Sequence, residues 1–135
     1  MKLLHLFSNW RWTGPAEPAT NLVSALHRAD WDVTFSFGKE RRTVKNGILH
    51  NAEQRGIPIR PGLLLQKHSN LVYDYFDSRR LLSWLRNDHF NIVHAHLRNA
   101  HVITAMAIRP IEKKPLIVRT CYEGDGPFGL REAVL

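Results

Sequence analysis

Apolar positions along the chain follow two periods in turn. KLLHLF, residues 2–7, is an apolar run of strand length, and the SNWRWTGP after it carries turn chemistry. From Ala16 onward, Ala19, Leu22, Val23 and Leu26 recur at three- and four-residue spacing until His27, Arg28 and Asp30 end the pattern. That spacing predicts a helix with one buried face. WDVTFSF, residues 31–37, alternates in a β-branched and aromatic context and predicts a second strand. TVKNGILHNAEQRG, residues 43–56, predicts a helix stopping at Gly56, weakened at Gly47 by about 1 kcal/mol relative to alanine. IPIRPG is a short strand or extended segment, because its prolines hold it out of the α region. LVYDYFDSRRLLSWLRND, residues 71–88, predicts an amphipathic helix whose apolar face carries Leu71, Val72, Tyr75, Phe76, Leu81, Leu82 and Leu85. NIVHA is the next strand, residues 100–108 a helix, PLIVRT another strand, and GLREAVL the first turns of a further helix.

Strands alternating with helices imply a parallel sheet with right-handed crossovers, a doubly wound, mainly parallel, Rossmann-like α/β domain. Five strands fit a single domain over residues 1–135, which shows neither an internal repeat nor a low-complexity linker. EGDGPFGLREAVL opens a new unit and stops, as though a larger protein had been cut there.

Composition narrows the partners more than the fold. With 44% hydrophobic and 23% charged residues the chain is close to the soluble average, and it has no run of about 18 apolar residues to cross a bilayer. MKLLHLF is followed by Asn9, Arg11 and two tryptophans in place of a small-residue cleavage site, so it reads as a strand and not a signal peptide. A single cysteine, Cys121, cannot form an internal disulfide, which suits a reducing, cytoplasmic setting. A net charge of +7 favours anionic partners. The basic residues nevertheless fall in small clusters, within 39–45, at Arg79 and Arg80, and at Lys113 and Lys114, so nucleic acid is not expected.

In open α/β sheets ligands bind outside the carboxyl ends of the strands, and that rule selects three segments. In WRWTGPAEP, Gly14 suits an N-cap, Pro15 the first helical position and Glu17 the N3 position. Such a helix start offers N–H groups to a phosphate or a sugar oxygen, although plain capping explains the same residues. The absence of GxGxxG and of a Walker loop removes the main support for NAD binding and P-loop hydrolysis. In FNIVHAHLRNAH, alternation puts His94 and His96 on one face, with His94 deeper in the strand, His96 at its exit and His101 on the next helix. An H-x-H pair can hold zinc, and His101 with Cys121 could complete four ligands, but no second pair at metal spacing accompanies it and no metal is expected. In RTCYEGDGP, Cys121 fits a small buried residue as well as a reactive thiol. No Ser-His-Asp set can be assembled from the three segments.

Taken in order, MKLLHLFSNWRWTGPAEPATNLVSALHRADWDVTF, FNIVHAHLRNAHVITAMA and PLIVRT resemble the N-terminal half of family 4 glycosyltransferases of the GT-B fold. The likeness covers nearly the whole chain apart from residues 39–70. Two positions depart from it. Thr13 replaces the first glycine of the family's G-G-x-E loop, leaving the variant G-P-A-E from Gly14 to Glu17, and Cys121 stands where many members have histidine. The resemblance implies a retaining transfer from a nucleotide-sugar donor to a sugar or lipid-linked acceptor. The donor would be held mainly by a C-terminal domain that these residues do not include, so the chain alone would be silent. On the matching positions, His96 would line the cleft near the transferred sugar as the catalytic residue, and Gly14 would bring its N–H to the donor phosphate or acceptor. Asn99, Arg119 and Glu123 would contact the acceptor. Neither a cofactor nor a metal is needed for catalysis by positioning and electrostatic stabilisation of a leaving diphosphate. A basic surface would suit peripheral contact with the inner face of an anionic membrane, through Trp10 and Trp12 or the cluster within 39–45. The alternatives are a stand-alone binding module of the same fold, a partner subunit of a separately encoded catalytic chain, and a metal-dependent hydrolase.

Overall fold

Residues 1–40 and 46–122 are described in a computed structural model of the chain. The elements run β1 (Lys2–Phe7), α1 (Ala16–Arg28), β2 (Asp32–Phe37), α2 (Ile48–Gln54), α3 (Leu71–Asp88), β3 (Ile92–His96), α4 (Arg98–Ile108) and β4 (Leu116–Thr120). The strands form one parallel sheet in the order β2-β1-β3-β4, so the expected doubly wound α/β class holds. Alternation along the central strands builds a core on each face. Leu4 and Leu6 of β1 and Val93 and Ala95 of β3 pack with Leu81, Leu85 and Ile103 of α3 and α4. Leu3, Phe7 and Phe35 face the other way, against Ala19 and Val23 of α1 and Ile48 of α2.

The predicted fifth strand is reduced to one bridge. Ile59 pairs with Phe35 outside β2: Phe35 N–H donates to the Pro58 carbonyl at 2.9 Å and Arg60 N–H to the Phe35 carbonyl at 2.9 Å. Pro58 and Pro61 lack the donors that a longer ladder needs. Helix α1 starts one residue later than predicted, because Ala16 N–H donates to the Thr13 carbonyl at 3.0 Å and leaves Gly14 and Pro15 in a turn. Pro15, not Gly14, is the N-cap residue, and no side chain caps the helix. Gly47, taken above as a weak interior position, caps the start of α2, and Gly56 closes its far end at φ +64°. Residues 43–45 of that predicted helix and GLREAVL lie outside the described residues.

Helix α3 has its predicted bounds but not its predicted face. Leu81, Leu82, Trp84 and Leu85 are buried in its second half, whereas Leu71, Val72, Tyr75 and Phe76 are exposed and Asp74, Asp77 and Ser78 point inward. The first half is tied down by hydrogen bonds to the preceding loop and not by apolar packing. Asp77 accepts the N–H groups of Leu64 at 2.8 Å and Leu65 at 2.9 Å. Asp74 accepts from the Ser69 hydroxyl at 3.0 Å and Asn70 N–H at 3.1 Å. At the head of the helix Asn70 caps the N–H groups of Val72 and Tyr73.

Gly38, just past β2, sits where three backbones meet. A Cβ there would stand 2.6 Å from the Asn9 carbonyl carbon and 2.8 Å from both the Trp10 nitrogen and the Leu65 oxygen.

Candidate functional site

Strand β1 leads outward to β2, while β4 lies on the far side of β3, so the crevice of the sheet opens between the carboxyl ends of β1 and β3. Phe7 and His96 are register partners at that edge. Beyond β1, Asn9 Oδ1 accepts the N–H groups of Trp10 at 2.8 Å and Arg11 at 3.3 Å, which folds the loop back on itself. The loop walls a cleft of about 600 Å³, with Thr13, Gln66 and the cationic side chains of Arg11, Lys39 and Lys67 in its lining. No carboxylate is among the described lining residues. The Arg11 guanidinium lies over the Trp10 ring, 5.0 Å from its centroid. A larger groove of about 960 Å³ runs beside the outer edge of β2, between residues 59–64 and the first half of α3.

At the exit of β3, Leu97 adopts φ 76° and ψ 162°. That region is almost reserved for glycine and costs a leucine about 1–3 kcal/mol. The strain falls directly after His96, at the crevice.

Parallel pairing sets His5 beside His94, and alternation turns His5, His94 and His96 to the same face. His5 Nδ1 lies 3.1 Å from His96 Nε2. His96 Nδ1 lies 2.7 Å from the Tyr122 hydroxyl, and His94 Nε2 lies 2.6 Å from Thr120 Oγ1. Burial, with the neighbouring histidines adding to it, pushes the imidazole of His5 down to about 3 and that of His96 down to about 2. Burial alone lowers His94. Near neutral pH all three are uncharged. Burial raises the Tyr122 phenol, and a hydrogen bond with Thr120 works against it.

Neutral imidazoles carry one proton each, and that assigns the chain. His5 Nε2 is buried and finds no hydrogen-bond partner among the described residues. An orphaned N–H is costlier there than a bare lone pair, so the proton of His5 belongs on Nδ1, donating to His96 Nε2. The proton of His96 is then on Nδ1, donating to the Tyr122 oxygen. The Tyr122 hydroxyl, which also meets the Thr120 side chain, ends this run of hydrogen bonds among the described residues.

The three histidines are the described group with metal-ligand chemistry, their nitrogens within 4.8 Å of one another. Their rings do not converge. His94 and His96 are stacked at 4.1 Å with 12° between planes, so lone pairs lying in those planes run side by side instead of meeting about 2 Å from both nitrogens, as zinc requires.

The predicted site residues separate. His96 is fully buried and His94 only partly so, the reverse of the expected order, because Tyr122 covers His96. Gly14 is exposed beside Thr13 of the cleft. Asn99 is buried and donates to the Gln66 carbonyl at 2.9 Å and to Asp74 at 3.1 Å, which ties α4 to the loop before α3. Arg119 is half-buried in register with Ala95, out of step with the histidines and so on the other face. Glu123 lies outside the described residues. Cys121 is exposed, which excludes the buried reading. His101 is half-buried on α4. Sequence reasoning missed His5 and, although the aromatic of RTCYEGDGP could face the crevice, gave Tyr122 no role. His5 sits inside an apolar strand and could have been paired with His94 once β1 and β3 were taken as neighbours. Tyr122 has the two-residue offset from Thr120 that keeps a strand exit on one face.

Among the described residues no helix is long and apolar enough to cross a membrane. No curated protein matches the chain. The model of Glycosyltransferase Family 4 matches residues 13–131, a span that takes in the end of the loop after β1, the histidine strand and β4. With a parallel α/β sheet whose crevice opens at those same segments, and a family match over most of its length, this chain belongs to glycosyltransferase family 4.

Proposed function

We propose that the chain is the acceptor-binding half of a retaining glycosyltransferase that draws its sugar from a nucleotide-sugar donor. The observation that carries the site is the hydrogen-bonded run from His5 through His96 to the Tyr122 hydroxyl, at the carboxyl edge of the sheet where the crevice opens. In this reading Tyr122 donates to a sugar oxygen and His96 positions it. A histidine held near 2 stays neutral, so it orients the phenol without offering a charge to the diphosphate. Positive charge comes from Arg11, Lys39 and Lys67, which suit an acceptor bearing phosphate or carboxylate. Gly14, at the head of α1, lets backbone N–H groups and the helix dipole approach phosphate oxygens. The remaining donor contacts fall to a second domain, and the chain alone is silent. Rate acceleration then comes from orientation and from charge placed before the reaction starts.

The test is nucleoside diphosphate release from a panel of nucleotide sugars by the enzyme that carries this domain. Tyr122→Phe removes only the hydroxyl and is expected to lower kcat about a hundredfold with KM little changed. His96→Ala is expected to lower kcat at least as far while circular dichroism stays native. Turnover unchanged in both variants would leave the histidine run a structural feature.

A further inference from the structure

The first half of α3 presents the wrong face to water for a helix that ends in solvent. Leu71 is 86% exposed, Val72 61%, Phe76 61% and Tyr75 54%. Single exposed apolar residues are ordinary, but a contiguous group of this kind marks a contact surface. Its charge is as one-sided as its hydrophobicity. Between residues 61 and 86 the only carboxylates are Asp74 and Asp77, and both are buried. The charged side chains left on the surface there are Lys67, Arg79, Arg80 and Arg86, all cationic. The Arg80 guanidinium, donating to the Gly62 carbonyl at 2.7 Å, is held beside the larger groove, which Tyr73 and Phe76 also line and where the half-buried Glu40 is outnumbered by Lys39, Arg60, Arg79 and Arg80.

Leucine and aromatic side chains flanked by arginine and lysine, with the helix's own acids turned inward, match a bilayer interface, where apolar groups enter the acyl boundary and cations meet anionic headgroups. We propose that the first half of α3 is a docking surface for an anionic lipid bilayer. Trp12, considered above for that contact, packs against the core on the α1 side with Arg55 over its ring. Seated on α3, the domain would lie with the carboxyl edge of its sheet toward the lipid, since α3 begins at that edge and ends where β3 starts. The inference does not rest on the transfer reaction, and vesicle binding is read without it.

The experiment is cosedimentation of the chain with vesicles of equal parts phosphatidylglycerol and phosphatidylcholine, against phosphatidylcholine alone. Binding to the anionic vesicles is expected at low salt, with little to the neutral ones, and weakening as salt is raised. Leu71→Ser with Phe76→Ser is expected to lower the partition coefficient about tenfold or more, and Arg79→Gln with Arg80→Gln about fivefold for each arginine. All four side chains are exposed, so far-ultraviolet circular dichroism should stay native in both variants. Trp31→Ser removes an exposed aromatic at the opposite edge of the sheet and is expected to bind as the parent does. The proposal is overturned if the chain stays in the supernatant with anionic vesicles, or if the Leu71 and Phe76 variant binds undiminished. A parent dimer in sedimentation velocity that Leu71→Ser with Phe76→Ser disperses, without vesicle binding, would assign the face to a second copy instead.

Discussion

Gly14 and Gly38 show how differently two glycines can be used. A Cβ at Gly14 would meet no heavy atom within 4 Å, whereas one at Gly38 would meet backbone on three sides. Nothing in the fold requires Gly14 to lack a side chain, so a requirement, if present, comes from a ligand. Gly14→Ala is therefore expected to change stability by less than about 0.5 kcal/mol while raising KM for the nucleotide sugar. Thermal melts and donor titration check the two halves, and an unchanged KM would leave Gly14 as an ordinary turn residue. Histidines were less legible one at a time. Alternation placed His94 and His96 on one face, but burial depends on what covers a strand end, and Tyr122 is remote from His96 until β4 is laid beside β3. His5 gave no local signal, because an imidazole in an apolar strand acquires meaning only from its neighbour across the ladder.

At the scale of elements, hydrophobic period was a good guide to where helices lie and a poorer one to which way they face. The bounds of α3 could be taken directly from LVYDYFDSRRLLSWLRND, yet its inward stripe begins with Asp74, Asp77 and Ser78 and turns apolar only from Leu81. Two carboxylates on an inward face are readable from sequence only if their partners are known, and those partners are backbone N–H groups of the loop before the helix. Asp77 makes the stronger claim on that loop, since its two oxygens take two consecutive N–H groups. Burial, with the like charge of Asp74 behind it, raises its carboxyl against the pull of those N–H groups and of Arg80. Asp77→Asn keeps the shape but turns an amide NH₂ toward one of the donors, and is expected to cost about 1–3 kcal/mol. Urea denaturation checks this, and a loss much below that range would mean that the loop is held by its apolar side chains, Leu63 and Leu65.

For the molecule as a whole, the buried histidines set the response to acid. An unfolded chain protonates histidine near 6.5, whereas in the fold His5 resists to about 3 and His96 to about 2, with His94 lowered too. Because the unfolded state takes up the protons first, the stability is whole above pH 6.5 and drains as pH falls below it. Each histidine contributes a slope of up to about 1.4 kcal/mol per pH unit. Urea midpoints are expected to fall between pH 7 and pH 5.5, and His5→Leu is expected to flatten the decline. The raised carboxyl of Asp77 acts with the opposite sign, so a midpoint that rose on acidification would mean that the histidines do not govern this range. The doubly wound sheet itself was plain from the alternation of periods, because that regularity is spread over the whole chain. At Gly38 the exits of β1 and β2 and the backbone at Leu65 touch without a side chain between them, and Asp77 clamps that last segment to α3. Among the described residues, cleft and helix are thus joined through backbone contact and paired hydrogen bonds, as parts of one casting. A helix resting on a membrane would hold the cleft at a constant height above it, so that an acceptor confined to the lipid plane needs only to diffuse sideways to arrive.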